Sequence, residues 1–252
     1  MEVTPELLSA FPLLKPLPKA VLTDLAKCSS MRKFSRRGIV LEAGEAERST
    51  CFLFEGRLQG VDFTIDGREV GLYFVEPSDF CGELALFDAK PQSEFVIALT
   101  AAVVVFVPVK ELQQVMLKTP AIMGVVGNKL ASRIRQMTFQ RSLLGLPSIG
   151  QRVCCQLWHL IPEGEKQKFS GLKASSDENH ETNPETDSKE TVINNPPTHM
   201  EIAIMVNVSR ETVTRVFQSL QNRQIVRRDG PAKLIVNKLD TLQKFAEGTE
   251  EL

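Results

Sequence analysis

The chain has 252 residues, 42% of them hydrophobic and 24% charged, with a formal net charge of −1. That is long enough for two compact domains with separate cores, in an ordinary globular composition. Its densest apolar run, Ala101–Val107, stops at Pro108, far short of a bilayer span, and near-neutral charge gives no global pull on nucleic acid, so any binding of that kind would have to come from a local patch.

Taken in chain order, Pro18–Cys28 places apolar residues at Val21, Leu22, Leu25 and Ala26, which predicts a short amphipathic helix. From there to about Val109, short Val, Phe, Leu and Ile segments are punctuated by Gly38, Gly44, Gly56, Gly60, Gly67, Gly71 and Gly82. That is the pattern of closely spaced antiparallel strands in a barrel or roll. Ile65–Arg68 reads as a hairpin turn, because Asp66-Gly67 readily supplies positive φ. Glu111–Leu117 reads as another short helix.

Pro120–Leu144 then predicts one long helix, with Pro120 suited to its first turn. Ile122, Met123, Val126, Leu130, Ile134, Met137, Arg141 and Leu144 recur at helical spacings, and Gly124, Gly127 and Ala131 permit close approach. A helix that lies on the strand domain and pairs with a symmetry mate fits this two-sided pattern; a helix buried inside one domain fits it as well. Gly145-Leu146-Pro147 offers a hinge, and helix resumes over Ile149–Ile161. Residues 163–197 turn polar and acidic, which predicts a mobile loop, a surface insertion whose charge repels phosphate.

The five cysteines, Cys28, Cys51, Cys81, Cys154 and Cys155, are odd in number and lack disulfide or zinc spacing, as expected of reduced thiols. With no basic-then-apolar leader visible at the start, a cytoplasmic location without membrane attachment is expected.

Thr198-His199-Met200-Glu201 has capping-box spacing, and Ile202, Met205 and Val206 give the helix it opens an inner face. Asn207 tolerates the left-handed turn position, Val208 plugs the core, and Ser209 is a natural N-cap for a second helix. In that helix Val213, Val216, Phe217 and Leu220 point inward, leaving Arg210, Glu211, Thr214 and Arg215 outward. An Arg fork can take guanine O6 and N7 together, and a carboxylate can accept from cytosine N4. Asp229-Gly230-Pro231 reads as the turn between strands Ile225–Arg227 and Lys233–Val236, a wing whose Arg223, Arg227, Arg228 and Lys233 suit phosphate.

On these residues, from about Pro18 to Val236, the chain resembles the catabolite activator protein and fumarate–nitrate regulator superfamily of bacterial transcription factors. The most specific element is Ser209-Arg210-Glu211-Thr212-Val213-Thr214-Arg215. The resemblance implies an α+β architecture: an N-terminal cyclic-nucleotide-binding-like β-roll (1–118), a long dimerisation helix and hinge (119–145), and a C-terminal winged helix-turn-helix (146–240) ahead of a tail (241–252). It implies Arg210, Glu211 and Arg215 as base readers, and Ser209 and Thr212 on phosphate. Thr198 and His199 join the DNA-facing set, although Met200 beside them supplies no strong donor. The partners it implies are double-stranded DNA carrying TGTGA-like half-sites, a second copy of the chain, and RNA polymerase.

Phe80-Cys81-Gly82-Glu83-Leu84-Ala85-Leu86-Phe87 is similar to the phosphate-binding cassette of cyclic-nucleotide domains. There the Gly permits close backbone approach and the Glu takes a ribose hydroxyl; Glu83 can equally be a structural acid. The cassette's phosphate-neutralising Arg falls at Ser93, followed by Glu94, and the purine-contacting positions fall at Met137 and Thr138. The expected pocket, Gly82, Glu83, Leu84, Ser93, Glu94, Met137 and Thr138, is therefore degenerate, and the missing cation argues against cyclic AMP. Arg133 on the long helix is a candidate for another cation. His159, His180 and His199 all lie outside the strand domain, excluding a His-ligated haem there, and the cysteine spacing argues against an iron–sulfur cluster. Control by a cyclic dinucleotide, by a redox signal through Cys81, or by a partner protein stays open, and no metal cluster, P-loop or nucleophile elbow suggests an enzyme.

Overall fold

The apolar run of the sequence becomes a strand, β8 (Ala102–Pro108), that is covered on both faces. Val104 and Phe106 point one way into one core, while Val105 and Val107 point the other way into a second. This two-sided burial is why the run lacks polar alternation. The computed structural model describes residues 2–46, 48–88, 90–167 and 190–252, and the chain forms two units, Met1–Thr138 and Phe139–Leu252.

In the first unit, β1 (Ser30–Phe34), β8, β3 (Ser49–Glu55) and β6 (Phe80–Cys81) form one antiparallel sheet in that order. A second, ordered β2 (Ile39–Leu41), β7 (Phe95–Ala98), β4 (Leu58–Phe63), β5 (Glu69–Val75), completes a roll. Cys51, Leu53, Val104 and Phe106 of the first sheet pack with Leu58, Tyr73, Val75, Val96 and Ala98 of the second. The β4–β5 hairpin turns where Asp66-Gly67 placed it, with Gly67 at φ 77°. The outer face of the first sheet, through Phe52, Phe80, Val105 and Val107, is covered by α1 (Pro5–Ser9), α2 (Lys19–Cys28), α3 (Val109–Lys118) and α4 (Pro120–Leu144). Helix α1 lacks the length for a periodic signal, yet its Leu8 and the Phe11, Leu13 and Leu14 that follow it are almost wholly buried.

Helix α4 spans the residues expected, and its two faces separate cleanly. Ile122 and Val126 are fully buried against the roll. Met123, Ile134 and Met137 are exposed, and a Cβ on Gly124 or Gly127 would meet nothing within 4 Å. Val126, whose spacing alone suits either face, thus belongs to the core of its own unit.

In the second unit, α5 (Ile149–Leu160), α6 (His199–Val206), α7 (Arg210–Asn222) and α8 (Leu239–Glu247) surround a core of Val153, Leu157, Ile202, Val206, Val213, Phe217, Leu220, Leu242 and Phe245. A three-stranded sheet orders β10 (Val226–Asp229), β11 (Lys233–Val236) and β9 (Thr191–Asn194). Four sequence expectations change here. Thr191–Asn194, read as the end of the polar loop, is a strand whose Thr191 and Ile193 are buried. Asp229 pairs with Lys233, so the strand ends two residues beyond the expected Arg227 and the wing turn starts at Gly230 (φ 66°). The C-terminal segment, read as a tail, contains α8, whose Leu242, Phe245 and Ala246 complete the core. Residues 163–167, also read as loop, are helical, and 168–189 lie outside the described residues.

Candidate functional site

The DNA-facing candidates are set by two capped helices joined through a left-handed residue. Thr198 Oγ1 accepts from Glu201 N at 3.3 Å, and Glu201 Oε2 accepts from Thr198 N at 2.8 Å, a complete capping box opening α6. Asn207 ends α6 at φ 52°, and Ser209 Oγ caps α7 by accepting from Thr212 N at 3.2 Å. Such a cap contributes about 1 kcal/mol. Val213, Phe217 and Leu220 lock one face of α7 into the core. Arg210, Glu211 and Arg215 stand exposed on the opposite side of its first turns. A hydrogen bond to its own backbone and one from Ser209 hold the Glu211 carboxyl below its ordinary range, so it stays an acceptor. The charges of Arg210 and of Arg215, four residues on, add smaller lowering effects.

His199 is less free. Its Nδ1 lies 3.1 Å from Thr214 Oγ1 and its ring packs 4.4 Å from that of Phe217. Thr214 also donates to the Arg210 carbonyl at 2.9 Å, so these two side chains brace α6 against α7. Burial, then the charges of Arg228 and Arg210, lower the His199 pKa. Ser209 and Thr212 are linked by their hydroxyls at 2.9 Å beside the exposed arginines. On the wing, Arg227 pairs with Glu190 at 3.1 Å, Arg228 donates to the Pro197 carbonyl at 3.2 Å, and Arg223 donates to the Glu251 carbonyl at 3.4 Å. Lys233 is exposed.

The second candidate site lies in the first unit. Gly82 adopts φ 75° and starts the short 3-10 helix Glu83–Leu86, which fixes the direction of Glu83. Arg133 of α4 donates from Nε to Glu83 Oε1 at 3.2 Å, and both residues are buried. The Arg133 guanidinium carbon sits 2.9 Å from the Tyr73 ring centre. Tyr73 in turn lies directly on Gly60, where any Cβ would run into its ring. The Tyr73 hydroxyl donates to Glu94 Oε1 at 2.5 Å, and Ser93 Oγ bonds to the other Glu94 oxygen. Burial raises the Tyr73 pKa well above its ordinary value; Arg133 opposes this while Glu94, Cys81 and Glu83 add to it. The ring is therefore a neutral phenol. One turn before Arg133, Lys129 makes a salt bridge to Asp79.

Of the expected pocket residues, the fold brings Glu83 and Glu94 to Tyr73, with Ser93 bonded to Glu94 and Gly82 setting the turn into Glu83. Leu84 and Met137 are exposed, and Thr138 donates to the Ile134 carbonyl of its own helix at 2.9 Å. Tyr73, Lys129 and Asp79 were missed. The one available signal was Gly60, since a glycine inside a strand marks a close approach, and the only Tyr of the chain lies on the neighbouring strand.

A roll that carries this cassette, followed in the chain by a helix-turn-helix with a wing, is the architecture of a cyclic-nucleotide-binding-type domain joined in one chain to a DNA-binding-type module. Residues 31–119 match the cyclic nucleotide-binding domain family and residues 151–245 match the Crp-like helix-turn-helix domain family. The chain belongs to the catabolite activator protein and fumarate–nitrate regulator superfamily of transcription regulators, a family of DNA-binding proteins rather than enzymes. It is 25% identical over 230 residues to the CRP-like cAMP-activated global transcriptional regulator of Mycobacterium tuberculosis, covering 91% of this chain and 94% of that protein. It is also 25% identical over 215 residues to the cAMP-activated global transcriptional regulator Vfr of Pseudomonas aeruginosa, covering 84% and 91%. Among solved structures it is similar to the c-di-GMP responsive global regulator CLP of Xanthomonas campestris, with a TM-score of 0.61, 19% identity and coverage of 88% and 99%.

Proposed function

We propose that this protein is a homodimeric cytoplasmic transcription regulator that reads an inverted repeat of TGTGA-like half-sites and does so without cyclic AMP. Arg210, Glu211 and Arg215 contact base edges, Ser209, Thr212, Thr198 and His199 lie along the phosphate backbone, and the bound dimer engages RNA polymerase. The observation that carries this reading is the exposure of Arg210, Glu211 and Arg215 on the first turns of a helix whose other face is locked by Val213, Phe217 and Leu220. A rigid helix presenting an Arg fork and a carboxylate at its start can enter a major groove and discriminate among base pairs. No described helix is long and apolar enough to cross a membrane, which accords with this role.

Independence from cyclic AMP is supported by the pocket. A cyclic phosphate needs a cation, and the position where the family cassette provides one holds Ser93 bonded to Glu94. Arg133, whose guanidinium the fold places in this pocket, is engaged by Glu83.

Selection from a random duplex library tests the base-reading assignment, and an inverted repeat is the expected product. On the selected site, Arg215→Ala should cost about 1–3 kcal/mol and flatten the preference at one position in each half-site. A pool without two-fold symmetry, or an Arg215→Ala protein with unaltered preference, would reject the assignment.

A further inference from the structure

The pocket of the roll has a charge pattern opposite to one that holds a phosphate. Glu83 is 5% exposed and its carboxylate meets Arg133, itself 8% exposed, at 3.2 Å. The guanidinium is stacked on the Tyr73 ring, and Glu94 supplies a second carboxylate 2.5 Å from the Tyr73 hydroxyl. Glu83 and the electron-rich face of the ring make a receptor for a planar cation, and Glu94 adds a negative charge beyond the hydroxyl. Arg133 Nη2 is buried without a hydrogen-bond partner, so charge and stacking hold the guanidinium there rather than a full set of hydrogen bonds.

The chain itself supplies that cation. Ile122, Val126, Lys129 and Arg133 follow at spacings of four, three and four along α4. The first two are buried against the roll, and the last two form the ion pairs with Asp79 and Glu83. An occupant tethered to the helix fills the pocket at an effective concentration that a dilute free ligand does not match.

We propose that the cyclic-nucleotide-type pocket is a guanidinium-receiving site filled by Arg133, and that this internal occupant does the work of an effector by keeping α4 seated on the roll. The proposal rests on the reading of the protein as a DNA-binding regulator for its consequence, and on the pocket alone for its chemistry. Removing the occupant weakens operator binding, and a small guanidinium ion restores it.

The test uses the full chain and the operator selected with the unaltered protein, read by fluorescence anisotropy. Arg133→Ala should bind the operator about tenfold more weakly, within the range usual for coupled sites. Low-millimolar methylguanidinium chloride should recover most of that loss, whereas equal concentrations of urea, its neutral analogue, or sodium chloride should not. Glu83→Gln should show a similar loss that methylguanidinium does not repair. Unchanged affinity in Arg133→Ala, or equal recovery with urea, overturns the proposal. Should Arg133→Ala fail to fold, the near-isosteric Glu83→Gln decides, and unaltered operator affinity in that variant is fatal. Should the unaltered protein select no operator at all, the DNA reading fails separately. Calorimetry of methylguanidinium then decides for the pocket: heat with Arg133→Ala and none with the unaltered chain supports it, and no heat with the variant overturns it.

Discussion

At the scale of single residues, the two described histidines of the second unit act as packing groups that remain titratable. His199 is wedged between Thr214 and Phe217, and the His159 ring stacks 4.1 Å from Phe139. Burial is the largest cause lowering both pKa values from the ordinary 6.5, aided at His199 by Arg228 and Arg210 and at His159 by Lys166. A lowered folded-state pKa means that the native state prefers the neutral ring. The stability it contributes is complete above the unfolded value and is lost as pH falls through that value towards the folded one. The melting midpoint of the second unit should therefore drop between about pH 7 and pH 5.5. Trp158, the only tryptophan of the chain, reports on this unit by fluorescence. Changing both residues to Gln should flatten the slope, and a midpoint that rises on acidification would contradict the sign.

At the scale of elements, α4 carries two stripes. Ile122 and Val126 are fully buried in the first unit, so its roll-facing side is settled. The other stripe, Met123, Gly127, Leu130, Ile134 and Met137, alternates four and three residues, the spacing of a coiled-coil seam. Ile134 is 65% and Met137 56% exposed, and Gly127 has open space where a Cβ would sit. Apolar surface of this kind on a helix suits a second copy of the same helix. Ile134→Glu is expected to yield monomers by sedimentation while leaving the melting temperature of the roll near its original value. Those monomers should lose operator affinity far more than affinity for random DNA, because the two half-sites are no longer held together. Persistence of the dimer mass would place the seam elsewhere.

At the scale of the whole molecule, the question is what sets the regulator's activity. A cyclic monophosphate entering the pocket would have to draw Arg133 away from Glu83 or bind beside Glu94 without a counter-charge. Either route forfeits a desolvated charge-assisted contact, a loss that moves micromolar affinity beyond the millimolar range. Calorimetry with cyclic AMP or cyclic GMP at sub-millimolar concentration should give no heat of binding, and operator affinity should not change when either is added. Micromolar binding would show that Arg133 leaves Glu83 for the phosphate.

Read by itself, the sequence determined whatever is encoded locally. The capping box at Thr198–Glu201, the left-handed Asn207, the Ser209 cap and the 25-residue span of α4 all appear where caps, turns and periodicity placed them. So does the roll, because its strands announce themselves through apolar runs and glycine punctuation. What the sequence left open depends on contacts between distant residues. Thr191–Asn194 looks polar and becomes a strand only because β11 offers it an edge. The C-terminal segment has too few apolar residues to stand alone, and is helical where Leu242 and Phe245 meet the core. Val126 and Ile134 are alike in composition and periodicity, and only the roll decides which of them is buried. The pocket shows the same division most sharply. The absence of a cation at Ser93 was legible, but Glu83 and Arg133 stand 50 positions apart in the chain, and no local rule links a carboxylate to a guanidinium across that distance. Their pairing exists because the folded roll and the packed helix bring them together in a buried place, where each charge needs the other.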